Sequence, residues 1–417
     1  MAALDPQRTI DELEELRALT GDEAGAQRVA FTPGWTAARR WFRERVAGLP
    51  VEVHEDAAGN VWTTLRGASE RAVVIGSHID SVPDGGWLDG CLGLLAGVEV
   101  LRRVAAEYGG RPPATLRVVD WADEEGARFG KSLFGSAACS GSLDLDEARG
   151  LVDARGVRLP DALREVGIDL ERVGECRRER RTAAAYLELH IEQGPVLLDL
   201  GLPLGAVLGT FGVERHAITF HGQAAHSGST PMARRRDALL PAARMADAIY
   251  AIAARSGGVC TIGSCTTRPG IVTSVVAECR ITLDQRHLDA EALARMLAEA
   301  REAAARFAAD ARVDVSWERL WRIPPAPFDP RLIGFAAEAI SEVAGTAHRL
   351  PSGPLHDAAE MAMAGVPTAM IFVQSLHGIS HNKIEDTRRA DLALAVRALD
   401  RLAEKTLGWV AAGEGAG

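Results

Sequence analysis

Ala72-Val73-Val74-Ile75-Gly76-Ser77-His78-Ile79-Asp80-Ser81 (AVVIGSHIDS) is an apolar run that stops on a histidine and an aspartate two positions apart. The run shows no polar alternation, which is the pattern of a strand covered on both faces, as in a parallel sheet. Around it the chain keeps the same rhythm. Leu92 to Tyr108 carries apolar residues at helical spacing, and Thr115 to Val119 and Ala184 to Leu189 are further buried strands. The predicted fold class is therefore α/β, with a mostly parallel sheet and helices on both faces, and its chemistry is expected at the carboxyl ends of the strands.

From about Glu214 the pattern changes to alternation, His216 to Phe220 and again Cys279 to Leu283, with helices predicted over Arg236 to Ala254 and Asp289 to Ala311. This predicts an inserted α+β unit: an antiparallel sheet with two helices on one face. The first rhythm returns after Pro324-Pro325-Ala326-Pro327, as a helix over Arg331 to Val343, a strand over Thr368 to Val373 and a helix over Asp391 to Leu407. The expected division is 1–210 with 326–417 as one domain and 211–325 as the insertion.

At 417 residues, 47% hydrophobic and 25% charged, the chain has the composition of a globular protein with more than one core. Its net charge of -10 without a basic stripe argues against nucleic acid or an anionic membrane surface as the main partner. The run Arg177 to Arg181 is read as a solvated turn, and the Gly/Ala tail Ala411 to Gly417 as frayed. The stretch from Met1 to Glu15 lacks the apolar core of an export signal, and no window is apolar enough for a membrane span, so a cytoplasmic location is expected. Six cysteines without a C-x-x-C pair suggest buried small residues rather than a zinc knuckle or a disulfide framework.

Alone, His78-Ile79-Asp80 is better read as a strand-end histidine beside a capping aspartate, because the pattern is short. Its alternative reading is a metal-binding imidazole whose tautomer Asp80 fixes. Gly85-Gly86-Trp87-Leu88-Asp89-Gly90 delivers Asp89 to the start of a helix, either as an N-cap or as a carboxylate bridging two cations. The acids Asp120, Asp123, Glu124 and Glu125 crowd one strand end and repel one another unless cations hold them. Adjacent Glu124 and Glu125 point different ways, so one can ligate while the other takes a proton. His190 and His381 each follow a buried strand as well. Together His78, Asp89, Glu125, His190 and His381 form a mixed nitrogen and oxygen set for two divalent ions, zinc first and manganese, cobalt or nickel as alternatives, with Glu124 as general base. Arg286 shares the polar face of its strand with Arg280, Thr282 and Asp284, where a guanidinium fork suits a substrate carboxylate.

The motifs GSHIDSV, LDGCLG, ADEEGARFG, LHIEQGP, GQAAHSGSTPMARRRDAL, LDQRH and GISHN span about residues 60–390. With them the sequence resembles the dizinc aminoacylase and dipeptidase superfamily, in the branch of N-carbamoyl-L-amino acid hydrolases, allantoate amidohydrolases and β-ureidopropionases. His190, where peptidase relatives usually carry aspartate, signals the branch. The resemblance implies the same five ligands, Asp80 as orienter and Glu124 as base. It also implies a homodimer in which the inserted domain acts as a lid and His226 stabilises the oxyanion of a neighbouring active site. In the family Arg286 and Gln193 bind substrate with an asparagine, at whose position this chain has Thr273. Pro354 and Leu355 replace a glycine-rich stretch, His377 stands where glycine is frequent, and His226-Ser227-Gly228 replaces HAG.

The function implied is hydrolysis of the ureido C–N bond of small carboxylate-bearing N-carbamoyl-L-amino acids to amino acid, carbon dioxide and ammonia. The alternatives are allantoate amidohydrolase or β-ureidopropionase, followed by a dipeptidase or aminoacylase. A non-catalytic binding protein would predict a lost ligand or base, and none is lost.

Overall fold

The computed structural model describes residues 4–413. Residues 1–3 and 414–417, which take in the start of the polar N-terminus and most of the Gly/Ala tail, lie outside the described residues. The last helix, Arg389–Ala411, runs into the beginning of that tail.

The chain separates into two compact units, residues 1–209 with 328–417, and Thr210–Pro327. Each has its own hydrophobic core. The larger unit is built on a large sheet whose middle is parallel. Side by side lie Thr368–Val373, Ala183–Ile191, Ser69–His78 and Ala114–Trp121, all pointing the same way. Antiparallel neighbours close both margins: Leu204–Thr210 beside Thr368–Val373, and Val61–Leu65 then Glu52–Glu55 beyond Ala114–Trp121.

The parallel strands are apolar on both sides because helices cover them. Cys91–Glu107 and Arg389–Ala411 pack on the central strands, with Pro6–Thr20 and Pro330–Ala344 against those helices. Phe134–Ser140 and Asp357–Met363 form a second group that touches the sheet and each other. Trp62 and Trp121 meet edge to face at 5.4 Å, and the Arg117 guanidinium lies 4.0 Å over the Trp62 ring.

The smaller unit holds a four-stranded antiparallel sheet in the order Val259–Arg268, Glu278–His287, Gly212–His221, Asp314–Ile323. Helices Leu239–Ser256 and Ala290–Ala311 supply its core with Met245, Ile249 and Met296. Two of these strands, Val259–Arg268 and Asp314–Ile323, escape the sequence reading. They are the sheet's edges and are largely exposed: Val259–Arg268 is mostly small and polar, and Arg319 interrupts the apolar alternation of Val315, Trp317, Trp321 and Ile323 in Asp314–Ile323.

Two smaller expectations are corrected. Cys265 is exposed, while the other five cysteines are buried. The Arg177 to Arg181 run is part of a 3-10 helix, Val173–Thr182. Glu179 within it turns inward to Arg117 and His54 rather than to solvent. No helix among the described residues is long and apolar enough to cross a membrane.

Candidate functional site

The strand order explains why residues so far apart in sequence meet. The four parallel strands that are neighbours in the sheet are the ones that end near His381, His190, His78 and Glu125. Neighbouring strands are about 4.8 Å apart, so their carboxyl ends form one short row. Asp89 reaches that row from the other direction, through the turn before helix Cys91–Glu107. The N-cap of that helix is Gly90, at φ 64°, and no side chain caps it, so Asp89 is not spent as a cap. A Cβ at Gly90 would lie 2.4 Å from the His78 ring, which is why the backbone here must be glycine.

The Asp89 carboxylate sits at the centre, with one oxygen facing each way. Its Oδ1 is 3.1 Å from His190 Nε2 and 3.8 Å from His78 Nε2. Its Oδ2 is 3.4 Å from His381 Nε2, which lies 3.2 Å from Glu125 Oε2. Two ligand groups result, His78 with Asp89 and His190, and Asp89 with Glu125 and His381. Both share the one carboxylate. Glu124 Oε2 is 3.7 Å from His78 Nε2, inside the same buried space.

The imidazoles are held with Nε2 directed inward. His78 Nδ1 is 3.1 Å from the Asp80 carbonyl and His190 Nδ1 is 3.0 Å from the Ile191 carbonyl. Because a carbonyl only accepts, each Nδ1 carries hydrogen, so in the neutral ring Nε2 is the nitrogen that presents a lone pair. Both Nε2 atoms, and Glu125 Oε1, are buried without a hydrogen-bond partner. Unpartnered buried lone pairs converging on a shared carboxylate are what a cation-binding site requires and what a merely structural polar core avoids. The donors are nitrogen and oxygen, with no thiolate among them.

Asp80 acts differently from the expectation. Its carbonyl, not its carboxylate, is the hydrogen-bond partner of His78, and the carboxylate is 3.5 Å from the ring. The carboxylate oxygens instead accept from the backbone N–H groups of Glu124 and Glu125, each at 3.2 Å. Asp80 thus orients the acid pair as much as the histidine.

Charge is strongly unbalanced within the protein's own groups. Burial lifts the Glu124 carboxyl well above the usual carboxylate range, with His78 opposing and Asp357 and Glu125 adding to the rise. Burial lifts Glu125 as well, and the negative Asp89 adds to it. Asp89 goes the other way: burial alone would raise it, but His190 and His381 hold it well below its ordinary value. Cations among these groups would relieve the repulsion between the carboxylates.

A layer of polar residues surrounds the five, and of these only Gln193 is named as a site residue by the resemblance. Gln193, at φ 59°, donates to Asp89 Oδ2 at 2.9 Å and to Ser380 at 3.3 Å. Glu385 accepts from the backbone N–H of Asp89. The buried His356 ring lies 4.4 Å from that of His190, and with Glu188 these form a third close group. Burial pushes Glu188 up to about 7, and it accepts from Tyr186 and from the Ala358 N–H. Backbone strain gathers here too: Asp123, Gln193, His377 and His381 all have positive φ without being glycine. His377, at φ 60°, occupies a conformation that glycine adopts more readily. Leu355, beside His356, is half-buried.

The remaining candidates belong to the smaller unit. His226 pairs with Ser274 across a short antiparallel bridge, and the Thr273 carbonyl accepts from Ser227 N–H at 2.9 Å, so His226 and Thr273 are neighbours. His226 Nδ1 accepts from the N–H groups of Gly228 and Ser229, each at 3.1 Å. The ring hydrogen is therefore on Nε2, and an exposed Nε2–H is left as a donor. Arg286 Nε binds Asp284 Oδ1 at 2.8 Å, and Arg215 Nε takes Asp284 Oδ2 at 2.6 Å, so one carboxylate aligns two guanidinium groups.

Comparison with known proteins follows the same lines. The profile of Peptidase family M20/M25/M40 matches residues 74–405. An N-carbamoyl-L-amino acid amidohydrolase of Geobacillus stearothermophilus is 36% identical over 378 residues, covering 90% of this chain and 92% of its own. An allantoate amidohydrolase of Escherichia coli K12 is 33% identical, covering 94% of this chain and 96% of its own. The crystal structure of a hydantoinase/carbamoylase family amidase from Burkholderia ambifaria superposes with a TM-score of 0.85 at 34% identity, over 96% of this chain and 97% of that one. The chain belongs to peptidase family M20/M25/M40, and it is a hydrolase of C–N bonds other than peptide bonds.

Proposed function

We propose that this enzyme cleaves the ureido C–N bond of N-carbamoyl-L-amino acids, and that its larger unit is the catalytic domain. The single observation that carries the reading is the position of Asp89, one oxygen facing His78 and His190 and the other facing His381 and Glu125. In this reading those five side chains hold two divalent ions, zinc by preference and manganese, cobalt or nickel as substitutes. Bound ions supply Lewis acidity, which makes water a competent nucleophile at neutral pH and polarises the ureido carbonyl.

The protein's own residues do the rest. Glu124 takes a proton from the attacking water and returns it to the departing amino nitrogen, and burial, by lifting its carboxyl above the usual carboxylate range, makes it a stronger base. His226 donates its Nε2–H to the oxyanion of the tetrahedral adduct. Arg286, aligned by Asp284, grips the substrate carboxylate. The carbamate released then breaks down to carbon dioxide and ammonia.

The same residues would serve allantoate, which carries two ureido arms on a carboxylate, and the allantoate amidohydrolase of Escherichia coli is almost as similar as the carbamoylase. Ammonia release separates the readings, measured with N-carbamoyl-α-amino acids, N-carbamoyl-β-alanine, allantoate and ureidoglycolate. The highest kcat/KM is expected on an N-carbamoyl-L-α-amino acid; a preference for allantoate would replace the first reading by the second. In the same assay Arg286→Lys keeps the charge but loses the planar fork, so KM should rise about tenfold or more with kcat less affected. An unchanged KM would remove Arg286 from the substrate site.

The smaller unit serves, in this reading, as a lid and dimerisation domain that brings His226 to the active site of a second subunit. The active species in sedimentation should then be a dimer. A fully active monomer would exclude the arrangement.

A further inference from the structure

We propose that Glu385 is a positioning residue of the metal centre: it staples the Asp89 turn to the loop that carries His381. The inference rests on the reading of Asp89 and His381 as ligands.

Glu385 lies in the polar stretch Asn382-Lys383-Ile384-Glu385-Asp386, yet it is only 2% exposed. Its Oε1 accepts from the backbone N–H groups of Leu88 and Asp89, each at 3.1 Å. Its Oε2 lies 2.7 Å from Ser380 Oγ, the residue before His381. That same hydroxyl is 2.9 Å from Asp89 Oδ2, the oxygen that faces His381 and Glu125. One buried carboxylate therefore touches the backbone of one ligand, the neighbour of another and, through a hydroxyl, the bridging oxygen itself.

The turn is shaped around it. A Cβ at Gly86 would lie 2.0 Å from the Glu385 carboxylate, so the glycine lets the chain close over this side chain. The consequence is geometric. A bridging carboxylate serves two ions only if its plane is fixed, and a rotation that keeps one contact forfeits the other. Glu385 fixes the Asp89 backbone through Oε1 and holds Ser380, whose single hydroxyl hydrogen is shared between Glu385 Oε2 and Asp89 Oδ2, while Gln193 donates to Oδ2.

A glutamine can make the same set of contacts. Its Oε1 can accept from both N–H groups and its Nε2 can donate to Ser380 Oγ, which remains free to donate to Asp89. An alanine makes none of them and leaves two buried N–H groups without a partner. A residue with a purely structural role would change stability in the same order, so stability alone does not decide.

The test is cobalt binding to the chelator-stripped full-length protein at 25 °C, read by equilibrium dialysis and by the visible spectrum of bound Co(II). Glu385→Ala should weaken the second cobalt, on the Glu125 and His381 side, by about 10- to 100-fold and alter its spectrum. Gly86→Ala, which displaces the carboxylate without removing it, should move both readouts the same way. Glu385→Gln should stay within about threefold of wild type. Wild-type affinity and spectrum in Glu385→Ala, with only a lower melting temperature, would overturn the proposal, as would a loss in Glu385→Gln equal to that in Glu385→Ala. Asp89→Asn is measured alongside: if it too binds two cobalt ions normally, the ligand reading itself has failed, and the proposal with it.

Discussion

Glu124→Gln is expected to lower kcat by about 10²- to 10⁴-fold while leaving metal content near that of the wild type. The glutamine keeps the volume and one acceptor oxygen of the side chain, and Glu124 is not among the atoms that converge on Asp89. What it loses is the capacity to take a proton. Because that role is exercised only as the bond is attacked, kcat and kcat/KM should fall together, with KM little changed. Glu124 is 7% exposed and lies against His78, so the amide also removes a buried negative charge from beside that ring. Burial first, then the carboxylates of Asp357 and Glu125, disfavour a negative charge at this position, so the fold tolerates the neutral amide. Metal analysis and steady-state kinetics on one preparation decide the matter. Wild-type turnover would show that the base is another residue.

The second large effect belongs to Asp89→Asn, which should lose both ions rather than one. Each carboxylate oxygen serves a different histidine group, and an amide presents one acceptor and one donor in their place. Whichever way the amide turns, its N–H₂ meets a histidine Nε2 or the Gln193 and Ser380 donors. Removing a buried charge from among charged partners costs roughly 3–5 kcal/mol. That corresponds to a fall in metal affinity on the order of 10²- to 10⁴-fold for each ion. Turnover should drop below detection at micromolar metal and recover only in part at millimolar metal. An Asp89→Asn protein that retained one ion with unchanged affinity would show that Asp89 belongs to a single ligand group.

Much of this was legible because the fold and the site use the same signal. A parallel strand covered on both faces is a continuous apolar run, and its chemistry follows where the run stops. His78, His190 and the Asp120 to Glu125 acids each stand at such a stop, and His381 follows the Thr368–Val373 strand after a short turn. That these strands are neighbours is a matter of sheet order, for which the β-then-α rhythm is a sound guide.

What was not legible has equally physical causes. Glu385, Ser380 and Glu188 lie within ordinary polar or strand sequence, and they matter only through contacts with residues distant in the chain. His356 and Asp357 follow a proline and a leucine and carry no spacing that marks them as buried. The sequence shows His78 and Asp80 only as side chains two positions apart, yet the Asp80 atom nearest the His78 ring nitrogen is a backbone carbonyl. The edge strands of the smaller sheet are harder to read because Val259–Arg268 is mostly small and polar and Arg319 breaks the alternation of Asp314–Ile323.

The arrangement of the ions themselves is open to a single direct observation. Crystals of the zinc-loaded enzyme, measured on both sides of the zinc absorption edge, should show two anomalous peaks about 3.5 Å apart, with Asp89 between them. One peak should be within bonding distance of His78 and His190 Nε2, and the other of Glu125 and His381. A map with no peak at Asp89, or a chelator-stripped enzyme that turns over at the full rate, would contradict the two-ion reading outright.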